Sequence, residues 1–97
     1  MSITFHQATK VERALYCSQV THSMTVAWDG EKVLGFCEWK GDTIFVIESF
    51  HKGAGAALVR YLAHIRYAAD VCCVAEPFWE KMGFESIDGS RTWRRMV

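Results

Sequence analysis

Short alternations of apolar and polar residues dominate the first half of the chain and predict strands joined by tight turns. Ile3 and Phe5 alternate with polar neighbours and predict a short first strand. Residues 24–28 and 33–39 flank Asp29-Gly30, a dipeptide that is typical of hairpin turns. We therefore expect these two segments to pair as antiparallel strands.

One helix is predicted between the first two strands. Thr9 is followed three residues later by Glu12, which is the spacing of a capping box and favours a helix start. The apolar positions that follow predict a helix that continues to about Val20, with Val11 and Leu15 facing the core.

A strand, a glycine-containing turn and a second helix are predicted in immediate succession. β-branched and aromatic residues predict a buried central strand over residues 43–49. The basic turn His51-Lys52-Gly53-Ala54-Gly55 follows, and residues 54–69 then have a helical pattern. The buried stripe of this helix is expected to consist of Leu58, Leu62 together with Tyr61, and Ile65.

The remaining elements complete a single domain. Residues 78–82 predict a short helix that Gly83 would end, and residues 84–87 and 92–97 predict a closing hairpin. With a strand at residues 71–75, the order is β-α-β-β-β-α-β-α-β-β. This order predicts one domain over the whole chain, of the α/β (α+β) class, with a mixed central sheet.

The cysteines do not form a metal or disulfide pattern. Cys17, Cys37, Cys72 and Cys73 lie in hydrophobic contexts, with no Cys-x-x-Cys pair. On the apolar strand predicted at residues 71–75, Cys72 and Cys73 would point to opposite faces. We therefore expect small core residues in a reducing cytoplasm, and no metal.

The charge balance argues against nucleic-acid and membrane partners. Eleven basic residues balance eleven acidic ones, so no net field attracts a polyanion or a lipid surface. No apolar run approaches the roughly 18 residues of a spanning helix. The first seven residues lack the charged and apolar regions of a signal peptide, so we expect a cytoplasmic protein.

The glycine turn after the central strand is the strongest candidate binding site. We expect unpaired N–H groups at the first turn of this helix that point in one direction, and Gly53 and Gly55 would let an anionic ligand approach them closely. A dinucleotide fingerprint would need glycine where Leu58 stands, and no Walker-type Gly-Lys-Ser/Thr string occurs. Two interpretations remain: a phosphate-binding loop, or glycines that only permit a tight turn.

Three strings, in this order, resemble the GNAT superfamily of N-acetyltransferases. Residues 29–36 (Asp-Gly-Glu-Lys-Val-Leu-Gly-Phe) resemble the family's second hairpin. Residues 51–58 resemble the loop that binds the diphosphate of acetyl-coenzyme A, and residues 78–84 (Phe-Trp-Glu-Lys-Met-Gly-Phe) resemble a helix ending of the family. The predicted element order is similar as well. The resemblance spans nearly the whole chain and implies a GNAT-like fold with acetyl-coenzyme A as co-substrate.

The resemblance also implies which residues contact acetyl-coenzyme A. The glycine loop would bind the diphosphate, and the backbone of residues 45–47 would stabilise the oxyanion where the central strand separates from its parallel neighbour. The expected contacts are Phe45, Val46, Ile47, His51, Lys52, Gly53, Ala54, Gly55, Ala56 and Trp79.

A glutamate is the expected general base, acting directly or through water. Glu48 on the central strand and Glu76 near the end of the next strand are the best candidates. A solvated strand-end carboxylate for Glu48, and a charge at a helix start for Glu76, are the competing structural interpretations. Glu38 and Asp42 rank below them.

Two positions depart from the family pattern. Phe50 stands where the family usually has arginine or glutamine, and Trp79 stands where a tyrosine often protonates the leaving thiolate. Indole cannot act as a general acid at neutral pH. Tyr16, Tyr61 and Tyr67 all fall on predicted helices elsewhere, so the expected acid is water or an unassigned residue.

The sequence therefore predicts an N-acetyltransferase that transfers an acetyl group to an amine. Only one helix fits before Met24, which reduces the region that usually forms one wall of the acceptor site. Such an open site suits an amine on a protein better than a small metabolite, or is completed by a second subunit in a homodimer. The alternative is a non-catalytic module with this fold that binds coenzyme A or a protein.

Overall fold

The computed structural model describes residues 2–16 and 19–96, which form one seven-stranded mixed sheet and three α-helices. The α+β class and the mixed sheet predicted from the sequence are confirmed. In chain order the elements are β1 (Thr4–Gln7), α1 (Lys10–Tyr16), β2 (Ser23–Trp28), β3 (Val33–Lys40), β4 (Thr43–Ser49), α2 (Ala54–Tyr61), β5 (Tyr67–Ala68), a 3-10 turn (Cys73–Ala75), α3 (Glu76–Lys81), β6 (Phe84–Ser86) and β7 (Trp93–Arg95).

The strands lie in the spatial order β1-β2-β3-β4-β5-β7-β6. β4 and β5 are parallel and are connected through α2, whereas the other neighbouring strands are antiparallel. The chain therefore builds one half of the sheet as a meander and returns through α2 to start the other half. The parallel pair lies where the two halves meet.

Local turn chemistry explains several boundaries that the sequence predicted. The Asp29 carboxylate accepts the N–H groups of Glu31 and Lys32, each at 2.9 Å, and holds the turn between β2 and β3. The capping box is present, because Glu12 N–H donates to Thr9 Oγ1 at 3.2 Å and Thr9 N–H donates to Glu12 Oε1 at 2.9 Å.

The predicted inward face of α1 is wrong. Val11 and Leu15 are 70% and 68% exposed, respectively. The helix instead turns Glu12 and Tyr16, one turn apart, toward the sheet: the Glu12 carboxylate lies 2.8 Å from Nε2 of His6, and the Tyr16 ring stacks on a β3 aromatic ring. These polar and aromatic contacts orient the helix in place of its aliphatic residues.

Helix α2 is half as long as predicted, and its predicted buried stripe is confirmed except at Tyr61. Leu58, Leu62 and Ile65 are buried, whereas Tyr61, at which the helix ends, is 56% exposed. The Arg95 guanidinium, from the distant strand β7, ends it by donating to three carbonyl oxygens. The acceptors are Val59 at 3.0 Å, Ala63 at 2.9 Å and Ile65 at 2.8 Å.

The strand predicted at residues 71–75 is wrong as well. The β5 strand lies earlier, so Tyr67 begins a strand and is not helical, and residues 71–75 leave the sheet. Cys72 and Cys73 are both exposed, which contradicts their expected burial, whereas Cys37 is buried as expected. Cys17 lies outside the described residues. Residues 71–75 leave the sheet because the chain turns directly after β5, and the same turn shapes the site described below.

The sheet has an apolar cluster on each face. Helix α2 covers the larger cluster, which includes Ile44, and α1 lies on the face of the smaller one, which contains Met24, Val26 and Phe36. Gly35 of β3 allows α2 to approach closely. A Cβ atom there would stand 2.6 Å from the Glu48 carbonyl oxygen and 3.4 Å from Ala54 Cβ. The start of α2 is thus seated directly on the sheet.

Candidate functional site

A cleft opens where the parallel strands β4 and β5 separate. Ile44 and Ala68 form the second and last residue pair of these strands, and Ala69 N–H still donates to the Ile44 carbonyl at 2.9 Å. Beyond this point the strands diverge. The backbone of residues 45–47 therefore borders a cleft and not a neighbouring strand.

A bulge bends β4 away from β5 at this point. Val46 lies opposite Glu38 of β3 and Ile44 lies opposite Trp39, which leaves Phe45 as an extra residue. Such a bulge bends a strand and strengthens its local twist. The Phe45 side chain is 41% exposed and lines the cleft.

A left-handed residue turns the chain away on the β5 side. Asp70 has a φ of 58°, a conformation that aspartate tolerates better than most residues. The next N–H, that of Val71, then donates to the Arg91 carbonyl at 2.8 Å, and the Asp70 carboxylate lies 3.1 Å from the Arg91 guanidinium. The separation of β4 from β5 is therefore fixed by backbone geometry on both strands: the bulge in β4 and the left-handed residue after β5.

The cleft has a volume of about 200 Å³ and a mostly apolar lining. Trp79 of α3 is nearly buried and meets the rings of Phe78 and Phe84 edge to face, with centroids 5.1 and 4.9 Å away. Its indole thus forms a rigid wall. The cleft is lined by Ile44, Phe45, Val46, Ile47, Ala69, Asp70, Val71, Cys72, Ala75 and Trp79.

A narrow apolar slot continues from the cleft toward the start of α2. The slot has a volume of about 180 Å³ and shares Ile47, Ala75 and Trp79 with the cleft. Its remaining lining residues are Ser49, Gly55 and Phe78. A Cβ atom at Gly55 would stand 3.4 Å from the Phe78 ring, so the missing side chain keeps the slot open.

The slot leads into an open basic groove of about 550 Å³. Ser49, Gly55 and Phe78 belong to both, which makes the cleft, slot and groove continuous. Lys52, Arg60 and Lys81 line the basic groove, and no acidic residue is among its lining within the described chain. The positive charge of the basic groove favours the binding of an anion.

The glycine turn forms the floor of the basic groove, and its geometry corrects one expectation. Gly53 has a φ of 91° and starts α2. Ala54 N–H donates to the His51 carbonyl at 3.1 Å, and Gly55 N–H donates to Ser49 Oγ at 3.2 Å. These two N–H groups are therefore not unpaired, because the turn is closed by its own His51 and Ser49.

The two predicted base candidates lie in different places. Glu48 is exposed near the end of β4, opposite Phe36 of β3. Glu76 begins α3 and lines a separate groove of about 550 Å³ together with Glu80 and Glu85. The structure thus does not bring the two carboxylates together at the cleft.

Phe50 does not contribute to the basic groove. Its ring lies 6.0 Å from Tyr16 and 5.9 Å from Phe36, on the face of the sheet that α1 covers. Arg60 and Lys81 supply charge in its place. Sequence reasoning did not single them out, because only the packing of α3 against the start of α2 brings them beside Lys52.

A buried glutamate faces a histidine beside the bulge. Glu38 is fully buried, and its Oε1 accepts Gln19 N–H at 3.0 Å and lies 3.6 Å from Nδ1 of His22. The His22 ring stacks on Phe45, with centroids 4.5 Å apart and planes at 18°. Sequence reasoning ranked Glu38 below Glu48 and Glu76 as a base, although its spacing of two and four residues from the buried Phe36 and Leu34 predicts that it shares their face of β3.

Metal-binding clusters and membrane-spanning helices are both absent from the described residues. Within 2–16 and 19–96, no group of three or more His, Cys, Asp or Glu side chains could hold a metal ion. No helix in the same ranges is long and apolar enough to cross a membrane.

Comparison of the sequence with models of protein families gave no match. Comparison with curated proteins gave no significant match. The function is therefore argued from the groove itself.

Proposed function

We propose that this protein is a minimal acetyl-coenzyme A-dependent N-acetyltransferase with a GNAT-like fold. The observation that carries the proposal is the continuous path from a basic groove, through an apolar slot, to a cleft between diverging parallel strands. An anionic end, a thin flexible arm and a reactive acyl end follow in the same order along acetyl-coenzyme A. The three sequence strings that resemble the family support the same assignment.

The basic groove is the proposed diphosphate site. Lys52, Arg60 and Lys81 supply positive charge, and the exposed Gly53 leaves its backbone accessible at the start of α2. Ser49 Oγ is a rotatable acceptor for Gly55 N–H, so a phosphate oxygen can replace it. Expected loop contacts His51, Ala54 and Ala56 remain part of this proposal.

The slot and the cleft are the proposed sites of the pantetheine arm and the thioester. Trp79, Phe78 and Ile47 offer an apolar wall to the arm. At the cleft, N–H groups of the backbone at residues 45–47 are proposed to stabilise the oxyanion that develops during acyl transfer. Since a thiol has a pKa of about 8.5, the thiolate can leave with its proton supplied by water, and Trp79 need not act as an acid.

The proposed acceptor is an amine on a protein. Between β1 and β2 the described residues contain one short helix, α1, so the acceptor side of the cleft has little enclosure. A macromolecule or a second copy of the chain would supply the missing wall. A cytoplasmic location is part of the proposal, because cysteine thiols stay reduced there and acetyl-coenzyme A is a cytoplasmic co-substrate.

A non-catalytic coenzyme A-binding or protein-binding module is the second candidate. It is favoured by Trp79, a residue without acid chemistry at the expected acid position, and by Phe50, which lies away from the basic groove. Transfer of the acetyl group to an amine distinguishes an enzyme from this non-catalytic module.

The test uses purified protein with radiolabelled acetyl-coenzyme A and a panel of lysine-containing peptides, peptides with free N-termini and small amines. The proposal predicts label transfer that depends on the amine, with release of one free thiol per acetyl group. Native mass spectrometry with acetyl-coenzyme A is run in parallel. Binding without transfer to any amine supports the non-catalytic module, and absence of binding contradicts both candidates.

A further inference from the structure

His22 and Glu38 lie next to residues that line the cleft: the His22 ring stacks on Phe45, and Glu38 of β3 pairs with Val46 of β4. Phe45 is the link, because it lines the cleft and its ring stacks on the His22 ring. The β4 bulge, which opens the cleft, also presents Phe45 to His22. A single backbone irregularity therefore brings the histidine to the place where the thioester is expected.

The histidine is held by contacts around it. Arg13 of α1 donates to the carbonyl oxygens of His22 at 2.9 Å and Val20 at 3.1 Å, which ties the loop before β2 to the helix. Phe45 covers one face of the ring. The side chain is 14% exposed, and because Nδ1 is buried, the exposed part lies on other atoms of the side chain.

The buried nitrogen faces a carboxylate. Nδ1 of His22 has no hydrogen-bond partner within the described chain, and Oε1 of Glu38 lies 3.6 Å from it. A movement of about 0.7 Å would bring the pair to an ordinary N–H···O distance of about 2.9 Å. Catalytic hydrogen bonds are often long before substrate binds and tighten in the complex.

We propose that His22, oriented by Glu38, is the general base of the acetyl transfer; this inference rests on the proposed function. A proton on Nδ1 that is directed at Glu38 leaves the lone pair on Nε2, which is the form that accepts a proton. Glu38 is then a positioning residue: it fixes the tautomer and stabilises the imidazolium, as a buried carboxylate does for other catalytic histidines.

Protons and electrons balance over the proposed acetyl-transfer step. Nε2 accepts one proton from the acceptor nitrogen, whose electron pair forms a bond to the acyl carbon. The carbon–sulfur bond breaks and its electron pair leaves with sulfur as the thiolate. The imidazolium returns its proton to solvent, and the thiolate takes one from solvent, so the base is regenerated and no further reactant is needed.

The position of His22 favours it over the two carboxylates that the sequence singled out. Glu48 is exposed near the end of β4, and Glu76 lines a separate groove. His22 contacts a residue that itself lines the cleft. The general base is therefore assigned to the loop that precedes β2.

The experiment compares steady-state kinetics of four variants at saturating acetyl-coenzyme A. His22→Gln is expected to lower kcat by roughly 100-fold or more, with the KM for acetyl-coenzyme A nearly unchanged. Glu38→Gln is expected to lower kcat roughly tenfold or more with the same unchanged KM. Glu48→Gln tests the competing base. His6→Gln is the matched control, because it removes the other histidine–glutamate pair, 2.8 Å apart at the edge strand, and should leave kcat unchanged.

Chemical rescue gives a readout that a purely structural role would not affect. Added imidazole should restore part of the rate of His22→Ala and should not restore that of Glu38→Gln. In the wild-type protein, nitrogen-15 spectra of the imidazole should find the proton of neutral His22 on Nδ1. The tautomer measurement needs no variant, so a proton found on Nε2 would overturn the proposal even if a substituted chain fails to fold.

The outcomes separate this inference from the proposed function. A folded His22→Gln protein with wild-type kcat, a loss confined to Glu48→Gln, or the proton on Nε2 would each overturn the role of His22 while the acetyltransferase assignment stands. A wild-type protein that transfers acetyl to no amine overturns the proposed function, and the general base with it.

Discussion

Ile44 of β4 and Ala68 of β5 form the last pair of the parallel strands, and the cleft opens directly beyond that pair. A longer ladder would fill the space with strand–strand hydrogen bonds. The bulge at Phe45 and the left-handed Asp70 end the ladder instead. Strand pairing thus stops near the centre of the sheet, and the backbone of residues 45–47 borders a cleft there.

Cysteine alkylation should report occupation of the cleft. Cys72 lines the cleft, whereas Cys73, its exposed neighbour, is not part of the lining. Acetyl-coenzyme A, which has no free thiol, should slow alkylation of Cys72 several-fold and leave Cys73 unaffected. The measurement is mass spectrometry of iodoacetamide-treated Cys72→Ser and Cys73→Ser proteins, each of which retains the other thiol.

Cys37 serves as the internal reference in the same experiment. Burial raises the pKa of its thiol far above the ordinary value, with the neighbouring Glu38 charge adding to the shift. The thiolate is the reactive form, so Cys37 should stay unmodified at neutral pH until the protein is unfolded. Equal protection of Cys72 and Cys73 by the ligand would speak against binding in the cleft.

The lysines of the basic groove should set the affinity for the diphosphate. Lys52→Ala and Lys81→Ala should each weaken acetyl-coenzyme A binding roughly three- to tenfold, because each removes one charge-assisted contact. The wild-type affinity should also fall as salt is added. Calorimetry checks both effects.

Lys40 provides the matched control for these substitutions. It is an exposed lysine at the end of β3 and pairs with Thr43 at the start of β4, whereas Ser49 of the basic groove lies at the other end of β4. Lys40→Ala should bind acetyl-coenzyme A like the wild type. If all three substitutions weakened binding equally, net charge and not the groove would explain the effect.

Gly55→Val should close the slot. A Cβ atom at Gly55 already stands 3.4 Å from the Phe78 ring and 3.5 Å from Ser49 Cβ, so the two methyl groups of valine must push the ring into the slot. Acetyl-coenzyme A binding should be lost, with circular dichroism used to verify that the chain still folds. Unchanged affinity in a folded Gly55→Val protein would refute the path through the slot.

Arg95 should contribute far more to stability than the adjacent Arg94. Arg95 donates to three carbonyl oxygens at and beyond the end of α2 and lies 5.1 Å above the Phe84 ring. Burial lowers the pKa of its guanidinium, which nevertheless stays protonated at neutral pH. Arg95→Ala should lower the free energy of unfolding by about 2–4 kcal/mol, since it leaves three carbonyl acceptors, two of them in partly buried contacts, without a donor.

The control is Arg94→Ala, which removes an exposed ion pair with Glu85 at 3.0 Å. Its cost should be under about 1 kcal/mol. Urea denaturation of both variants measures the difference. Similar losses in the two proteins would mean that Arg95 does not end the helix in the way described.

The elements that local chemistry encodes could be predicted from the sequence. The Asp29-Gly30 turn, the Thr9 capping box and the glycine turn before α2 each depend on residues that are close in the chain. The run of apolar residues 71–75 misled the prediction, because Val71, Cys72 and Ala75 line a cleft and residues 72–74 are exposed. An apolar run does not reveal whether it faces a core or a ligand.

Features that depend on distant contacts could not be read from the pattern. The early end of α2 is set by Arg95, which is 36 residues away from Val59 in the chain. The pairing of His22 with Glu38 arises from the register of β2 with β3, where Met24 lies opposite Glu38. The base candidates Glu48 and Glu76 were chosen by position along the chain, which does not report distance from the cleft.

The most direct test of the central claim is an amide NMR titration of the wild-type protein with acetyl-coenzyme A. The account predicts saturable shifts concentrated on three segments that are distant in sequence: residues 44–47 at the strand opening, residues 52–56 at the start of α2, and the region around Trp79 of α3. The β1 strand and the turn at Asp29-Gly30 should remain unshifted. Absence of saturable shifts, or shifts confined to surfaces away from these three segments, would contradict the claim that this groove binds acetyl-coenzyme A.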